Sequence, residues 1–136
     1  MTLVDTNVLL DVFTKDPRWL DWSLTRLEEA AVRGPLVIND VIYAETSARY
    51  PTIEDFESAL VDAGVTVATI PRMALFLAGK AFVQYRGVGG SRIGVLADFF
   101  IGAHAAVEQL PLVTRDARRY RTYFPMVDLI APDTRE

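Results

Sequence analysis

The sequence predicts an α/β fold, a three-layer α/β/α sandwich with a short, mainly parallel central sheet. Three short apolar segments have the length of buried strands: Leu3–Val4, Leu36–Ile38 and Leu112–Thr114. Helical patterns separate them, and strands covered by helices on both faces are apolar in this continuous way. With 136 residues, 51% of them hydrophobic, the chain is predicted to form one domain, residues 1–136. A chain of this length buries about two thirds of its unfolded surface.

The first half of the chain carries helix boundaries that fit between the predicted strands. Thr6 or Asn7 can cap a helix directly after the first strand, and Pro51 ends the helix that follows the second strand. Thr52 is followed three residues later by Asp55, which nearly completes a capping box for the next helix. The helices predicted in this half span residues 6–13, 17–32, 40–50 and 52–63.

The second half is organised around a helix that is apolar on nearly all sides and therefore predicted to be buried. It begins at Val95, carries a single carboxylate, Asp98, and is followed by a turn at Pro111 and the strand at 112–114. Before it, the pattern predicts a strand at 65–70, a helix at 71–85 and a loop, RGVGGSRIG, at 86–94. After it come an arginine-rich turn at 115–121 and a last strand at 127–130.

Composition excludes several classes of protein. The chain has no cysteine, so neither a disulfide framework nor a thiolate zinc site is possible. Its start, MTLVDTN, lacks the pattern of a signal peptide, and no apolar stretch approaches the roughly 18 residues needed to span a bilayer. We therefore expect a soluble, cytoplasmic domain without a membrane partner. The net charge of −4 argues weakly against nucleic acid, but arginine, which binds phosphates bidentately, dominates the cations and concentrates in the second half.

Four carboxylates are placed so that they can converge. Asp5 follows the first strand and Asp116 follows the strand at 112–114, and ligands bind beyond the carboxyl ends of parallel strands. Asp98 lies on the helix that leads to the second of these strands. Glu45 shares a helix face with the apolar residues at 41 and 42, so we expect it to point inward as well.

Each acid also has an ordinary structural explanation. Asp5 and Asp116 can cap the segments that follow them, and Asp98 can stabilise an early turn of its helix. Glu45 can pair with Arg49 at i+4, which contributes a few tenths of a kcal/mol. Asp5 and Asp98, however, lie inside apolar segments, where a capping Asn or Ser would be less costly.

If the four acids converge, they require a cation. Two unit charges about 5 Å apart repel by about 3 kcal/mol at an effective dielectric constant of 20. Oxygen ligands without cysteine favour Mg²⁺ or Mn²⁺ over zinc. Such an ion, held by carboxylates and keeping several waters, is typical of phosphoryl-transfer sites, where it activates water and stabilises charge on the phosphate. His104 lies on another side of the helix from Asp98, and we interpret it as structural.

Four segments carry a family resemblance. They are VDTNVLLD at 4–11, Glu45 within VIYAETSARY, LADFFIGAHA at 96–105 and LPLVTRDARRYRTYFPMVDLIAP at 110–132. Together they resemble a PIN domain, and more closely the VapC toxins of bacterial toxin–antitoxin pairs. The resemblance extends from Thr2 to Pro132.

This resemblance implies a PIN-like sandwich and a metal-dependent endoribonuclease, often a homodimer, that cleaves RNA and is inhibited by a cognate VapB-like antitoxin. The catalytic acids would be Asp5, Glu45, Asp98 and Asp116, with Mg²⁺ or Mn²⁺ held by Asp5, Asp98 and Asp116. Residues that flank the acids would contact the RNA: Asn7, Thr114, Arg115, Arg118 and Arg119.

The antitoxin interaction would use both charge and apolar surface. An arginine from its tail could pair with two carboxylates of the acid cluster and displace the metal. The helix bearing Trp19, Leu20, Trp22 and Leu24 would form an apolar groove wall, although packing is the commoner role for such tryptophans.

Two other classes compete with this interpretation. A receiver domain also places an Asp after its first strand, but it needs a lysine after a late strand, and Lys15 and Lys80 lie far from such a position. A non-catalytic PIN-like module that binds RNA or protein would share the fold. Such modules usually lose an acid, and none of the four is missing here.

Overall fold

The computed structural model describes residues 1–90 and 95–132. In these ranges the chain forms five strands, namely β1 (Thr2–Val4), β2 (Leu36–Asn39), β3 (Val65–Ala68), β4 (Leu112–Val113) and β5 (Leu129–Ile130). The helices are α1 (Thr6–Phe13), α2 (Leu20–Arg33), α3 (Asp40–Ser47), α4 (Ile53–Ala63), α5 (Arg72–Gly87), α6 (Leu96–Glu108) and α7 (Arg118–Tyr123). This alternation confirms the predicted α/β class.

The five strands form one sheet in the order β3-β2-β1-β4-β5, and all four pairings are parallel. From β1 the chain moves outward through β2 to β3, and then returns to the other side of β1 for β4 and β5. Because parallel crossovers are right-handed, this reversal places helices on opposite faces of the sheet. The point of reversal lies between β1 and β4, which is where doubly wound sheets open a crevice.

The register brings the ends of β1 and β4 side by side. Val4 is paired with Val113, and the N–H of Asp5 donates to the carbonyl of Val113 (3.0 Å). Both strands are completely buried, as expected of central parallel strands. The next residues along each strand, Asp5 and Thr114, therefore meet at the carboxyl edge of the sheet.

Helix α7 packs tightly against α6. Tyr120 and Phe124 are 2% and 1% exposed, and a Cβ added at Gly102 of α6 would collide with the rings of both. The glycine thus permits a close approach that brings the short arginine-rich helix to the end of β4. Without it, α7 would have to shift outward, together with the loop that carries Asp116.

Several predicted helix boundaries are confirmed by their caps. Helix α1 begins at Thr6 as predicted, but its cap is Asp5, which accepts a hydrogen bond from the N–H of Thr6 (2.7 Å), and not Thr6 or Asn7. The side chain of Asn39 accepts from two N–H groups of the first turn of α3, and Thr52 accepts from the N–H of Asp55 (3.1 Å). Gly64 ends α4 with φ of 70°, a left-handed conformation that glycine adopts without strain.

Other predicted boundaries are wrong. The arginine-rich segment after β4 is the helix α7 and not a turn, because its Tyr120 packs into the core. Helix α2 begins at Leu20, three residues later than predicted, since Asp16 accepts from the N–H groups of Arg18 and Trp19 and holds them in a turn. Helix α3 ends at Ser47 rather than at 50, and β5 begins at Leu129 rather than at 127.

The predicted loop at 86–94 is only partly comparable with the structure. Helix α5 continues through Gly87, and residues 91–94 lie outside the described residues. Among the described residues, no helix is long and apolar enough to cross a membrane.

Candidate active site

An open pocket of about 380 Å³ lies at the carboxyl edge of the sheet, beside the reversal between β1 and β4. Its walls come from α1, α3, α6, α7 and the segment after β4. All four predicted acids line this acid pocket: Asp5, Glu45, Asp98 and Asp116. The expectation that Asp5 and Asp116 meet at one edge, with Asp98 and Glu45 nearby, matches this placement.

Asp5 is the most deeply buried acid of the four, at 4% exposure. Besides the capping bond from Thr6, its Oδ2 accepts hydrogen bonds from the hydroxyl of Thr114 (2.8 Å) and the hydroxyl of Tyr120 (3.0 Å). These donors fix the carboxylate between β1, β4 and α7. The orientation of Asp5 therefore depends on three separate parts of the chain.

Burial dominates the electrostatics of the pocket. Loss of solvent raises the pKa of Asp5 from 3.8 to about 6, against the lowering effect of its hydrogen bonds, and the charge of Asp98 adds to the rise. Burial likewise raises the pKa of Asp98, although Arg119 opposes the effect. The pKa of the Tyr120 phenol is raised by burial and by the charges of Asp5, Asp98 and Glu45. The hydrogen bonds to Asp5 and the positive charge of Arg119 therefore offset only part of the cost of burying these carboxylates.

The other three acids each have a distinct environment. Asp98, about one third exposed, forms an ion pair with Arg119 of α7 at 2.6 Å. Glu45 is exposed, and its Oε1 accepts from the hydroxyl of Thr6 (2.6 Å). Asp116 is exposed, and its backbone N–H donates to the hydroxyl of Thr114 (3.1 Å). Asp98 and Asp116 lie close enough for the charge of Asp116 to raise the pKa of Asp98.

A family comparison identifies the fold. The PIN domain family matches residues 2–125, which is most of the chain. The chain is a PIN domain.

Solved structures similar to this PIN domain include two VapBC complexes and a toxin–antitoxin complex. VapBC2 from Rickettsia felis, bound to a promoter DNA fragment, matches with a TM-score of 0.74 at 20% identity, covering 97% of this chain and 98% of that one. VapBC from Salmonella typhimurium, bound to DNA, matches with a TM-score of 0.68 at 18% identity, covering 96% and 98%. A toxin–antitoxin complex from Klebsiella pneumoniae matches with a TM-score of 0.65 at 20% identity, covering 98% of both chains. No curated protein sequence matches this chain.

The PIN domain contains a buried ion pair that the sequence interpretation missed. Asp11 of α1 is 2% exposed and accepts from the guanidinium of Arg115 through both oxygens, at 2.6 and 2.9 Å. The hydroxyl of Ser23 donates to the same carboxylate (2.6 Å), and the Trp19 ring lies 5.1 Å from the guanidinium. The sequence does contain an indication of this pair, because Asp11 lies inside the apolar run VLLDVF. Asp5 and Asp98 were chosen as site residues because they too lie in apolar segments.

The residues predicted to contact RNA differ in their placement. Thr114 is completely buried, and Asn7 bonds to it (3.5 Å) and accepts from the N–H of Arg115 (3.1 Å), so both connect α1 to the end of β4. The guanidinium of Arg115 is held by a carboxylate of α1, and that of Arg119 by a carboxylate of α6. Arg118 is exposed and, within residues 1–90 and 95–132, belongs to no ion pair.

The donor set suits a hard divalent cation. In the part of the chain that the structure describes, no three acidic or histidine side chains are grouped closely enough to hold a metal as they stand. Asp5 is turned to Thr114 and Tyr120, and Asp98 to Arg119. Burial and the charge of a neighbouring acid nevertheless raise the pKa of Asp5 and that of Asp98, even though Arg119 pairs with Asp98. Oxygen ligands of this kind favour Mg²⁺ or Mn²⁺.

His104 and the two tryptophans have structural environments, as interpreted from the sequence. The His104 ring is 1% exposed and its Nδ1 lies 3.1 Å from the side-chain nitrogen of Asn39, which caps α3. Trp19 and Trp22 form an edge-to-face pair with ring centroids 6.0 Å apart. Tyr120, whose hydroxyl meets Asp5, was not foreseen; in the run RRYRTYF its burial depends on the helix that the sequence interpretation had assigned as a turn.

Proposed function

We propose that this protein is a metal-dependent endoribonuclease, the VapC-type toxin of a type II toxin–antitoxin pair, acting in the cytoplasm. The observation that carries the proposal is the convergence of four acids from four separate parts of the chain on one pocket at the reversal of the sheet. The fold it shares with VapBC complexes supports the toxin assignment. The whole set of acids also favours this function over a non-catalytic PIN-like module.

We assign Asp5, Asp98 and Asp116 as ligands of Mg²⁺ or Mn²⁺ and Glu45 as the fourth catalytic acid. When bound, such an ion supplies positive charge for the phosphate and the leaving oxygen and lowers the pKa of water. Glu45 is exposed and accepts a hydrogen bond from the hydroxyl of Thr6, and in this proposal it would orient or deprotonate the attacking water. The Asp11–Arg115 pair has a positioning role, since it fixes the backbone on which Asp116 is carried.

A cleavage assay tests this proposal. Purified protein should cut single-stranded RNA with Mg²⁺ or Mn²⁺ and stop when EDTA is added. Asp116→Asn should lower the rate by at least about tenfold to a hundredfold, because even the groups that only orient a metal ligand cost about that much when they are removed. Asp128→Asn, which changes an exposed acid outside the pocket, is the matched control and should cleave normally. RNA binding without metal-dependent cleavage would instead favour the non-catalytic module.

The partners of this toxin would be a second copy and a VapB-like antitoxin. Helix α5 presents three apolar side chains at helical spacing, Met73, Phe76 and Val83, which are 74%, 69% and 67% exposed. A second copy that covers this stripe would remove an apolar surface that is unfavourable in water. The antitoxin would place an arginine among the acids, so its inhibition should weaken as Mn²⁺ concentration rises.

A further inference from the structure

A second pocket adjoins the acid pocket through Asp116. It has a volume of about 420 Å³ and is lined by Tyr85, Asp116, Arg118, Arg119, Thr122 and Tyr123. We call it the α7 pocket because four of these residues lie on α7. Its volume falls within the range of about 300–1,000 Å³ that is usual for small-ligand sites. The shared Asp116 means that a polymer passing through one pocket can enter the other.

The two pockets differ sharply in charge. Asp11 and Asp16 join the four catalytic acids in lining the acid pocket, and of the arginines there Arg115 is already paired with Asp11. The α7 pocket is lined by two arginines and one acid, and because Arg119 is paired with Asp98, Arg118 supplies its available positive charge. An RNA phosphate would be repelled by the acids of the acid pocket and attracted to the α7 pocket. There, Arg118 is exposed and belongs to no ion pair among the described residues.

The remaining walls of the α7 pocket are aromatic. The rings of Tyr85 and Tyr123 are 6.2 Å apart and nearly perpendicular, and each packs on Phe99, at 5.5 and 5.1 Å. Gly90 also contacts Tyr85. Its N–H donates to the carbonyl of Tyr85 (2.8 Å), and a Cβ at this position would collide with the Tyr85 ring. Both rings are half-buried and therefore held in place before any ligand arrives.

The α7 pocket has a cationic side, which suits a phosphate, and an aromatic side, which suits a base. An unstacked nucleotide carries both groups. Proteins recognise single-stranded RNA by stacking splayed bases on aromatic rings while arginines hold the phosphates. A base within a duplex would not reach this recess, because it remains stacked and paired.

We propose that the α7 pocket binds one unstacked nucleotide of the RNA, next to the phosphodiester that lies at the acid pocket. Arg118 holds the phosphate of this nucleotide, and the rings of Tyr85 and Tyr123 contact its base. The inference rests on the proposed ribonuclease function and adds to it a separate subsite, which holds the nucleotide beside the cleaved phosphodiester.

The test measures equilibrium binding by fluorescence anisotropy. The probe is a labelled 12-nucleotide single-stranded RNA, and the protein carries Glu45→Gln, outside the α7 pocket, to prevent cleavage with Mn²⁺ present. Adding Arg118→Ala should weaken binding about fivefold or more at low salt and reduce the slope of log affinity against log salt by about 0.7, the value for one single-strand phosphate contact. Arg33→Ala, which removes an exposed arginine at the end of α2, should change neither.

Aromatic contact predicts a different signature from charge. Adding Tyr123→Leu should weaken binding about tenfold with the salt slope unchanged, since base stacking is not electrostatic. Tyr123→Phe should bind normally, which separates loss of the ring from loss of the hydroxyl. If Tyr123→Leu melts early because of its packing on Phe99, Thr122→Glu replaces it: this exposed position tolerates the change, and the added charge should repel the phosphate.

The outcomes distinguish this inference from the proposed function. If the protein without substitutions cuts RNA with Mn²⁺ but the Arg118 variant keeps full affinity and slope, the nucleotide site is overturned and the ribonuclease remains. Equal affinity for the 12-mer and for a fully paired duplex of the same sequence would also overturn it. If the unsubstituted protein neither binds nor cuts RNA, the proposed function itself fails.

Discussion

Replacing Asp5 by Asn should stabilise the metal-free protein at neutral pH. The carboxylate is 4% exposed, and burial together with Asp98 raises its pKa from 3.8 to about 6. A raised pKa means that the ionised form is less favourable in the folded than in the unfolded chain. Asn keeps the oxygen that accepts from Thr6 and removes the charge. Its amide faces the hydroxyl of Tyr120, which can rotate to accept from it; the Thr114 hydroxyl already accepts from the N–H of Asp116 and from the side chain of Asn7.

The size and sign of the effect follow from the pKa. A rise from 3.8 to about 6 corresponds to about 3 kcal/mol, at about 1.4 kcal/mol per pH unit. Between these values the folded chain holds a proton that the unfolded chain has released, so the original protein loses stability as pH rises through this window. The difference between Asp5→Asn and the original protein should therefore be near zero below pH 4 and reach about 3 kcal/mol above pH 6.

Urea unfolding in EDTA at several pH values between 4 and 7.5 measures this difference. All other titrating groups are common to both proteins, so the difference isolates Asp5. Saturating Mn²⁺ should then reverse the order, because only the carboxylate protein gains binding energy in its folded state. A difference that does not change with pH would refute the reasoning that Asp5 is a strained, under-compensated acid.

Two further predictions concern charge and assembly. Arg119→Ala should tighten Mn²⁺ binding about fivefold in calorimetry, because it removes the cation paired with Asp98 and a partly exposed pair is worth at most about 1 kcal/mol. Arg118→Ala is the control: it removes the same charge, which belongs to no ion pair among the described residues, and should have a smaller effect. Equal effects of the two substitutions would mean that only the net charge near the pocket matters. Phe76→Asp should convert a dimer to a monomer in light scattering. Val32→Asp, at a site on α2 that is 88% exposed, is the control and should remain dimeric. An unchanged mass for Phe76→Asp would exclude the apolar stripe of α5 as the dimer interface.

Much of the fold was predictable because its signals are local. Asp5, Asn39, Thr52 and Gly64 each act on their own first or last helical turn, and the apolar strands β1, β2 and β4 are buried throughout. The convergence of the acids could also be predicted from the sequence, because residues that directly follow parallel strands lie at the same edge of the sheet. That rule needs no knowledge of side-chain packing.

What could not be predicted depends on distant contacts. The segment after β4 forms a helix because Tyr120 and Phe124 find a gap opened by Gly102 on α6, and nothing in the arginine-rich segment itself reports that gap. The partners of the arginines are equally non-local: Arg115 lies 104 residues from Asp11. Sequence proximity to the acids suggested RNA contact for Arg115, and it could not reveal that Asp11 of α1 holds the guanidinium.

An anomalous difference map from a crystal soaked in Mn²⁺ tests the central claim most directly. If the four acids form a metal site, a peak should lie about 2.0–2.3 Å from oxygens of Asp5, Asp98 and Asp116, with the Arg119 guanidinium displaced from Asp98. Absence of a peak among these three carboxylates, at a Mn²⁺ concentration that supports RNA cleavage, would contradict the assignment of the acid pocket as the catalytic metal centre.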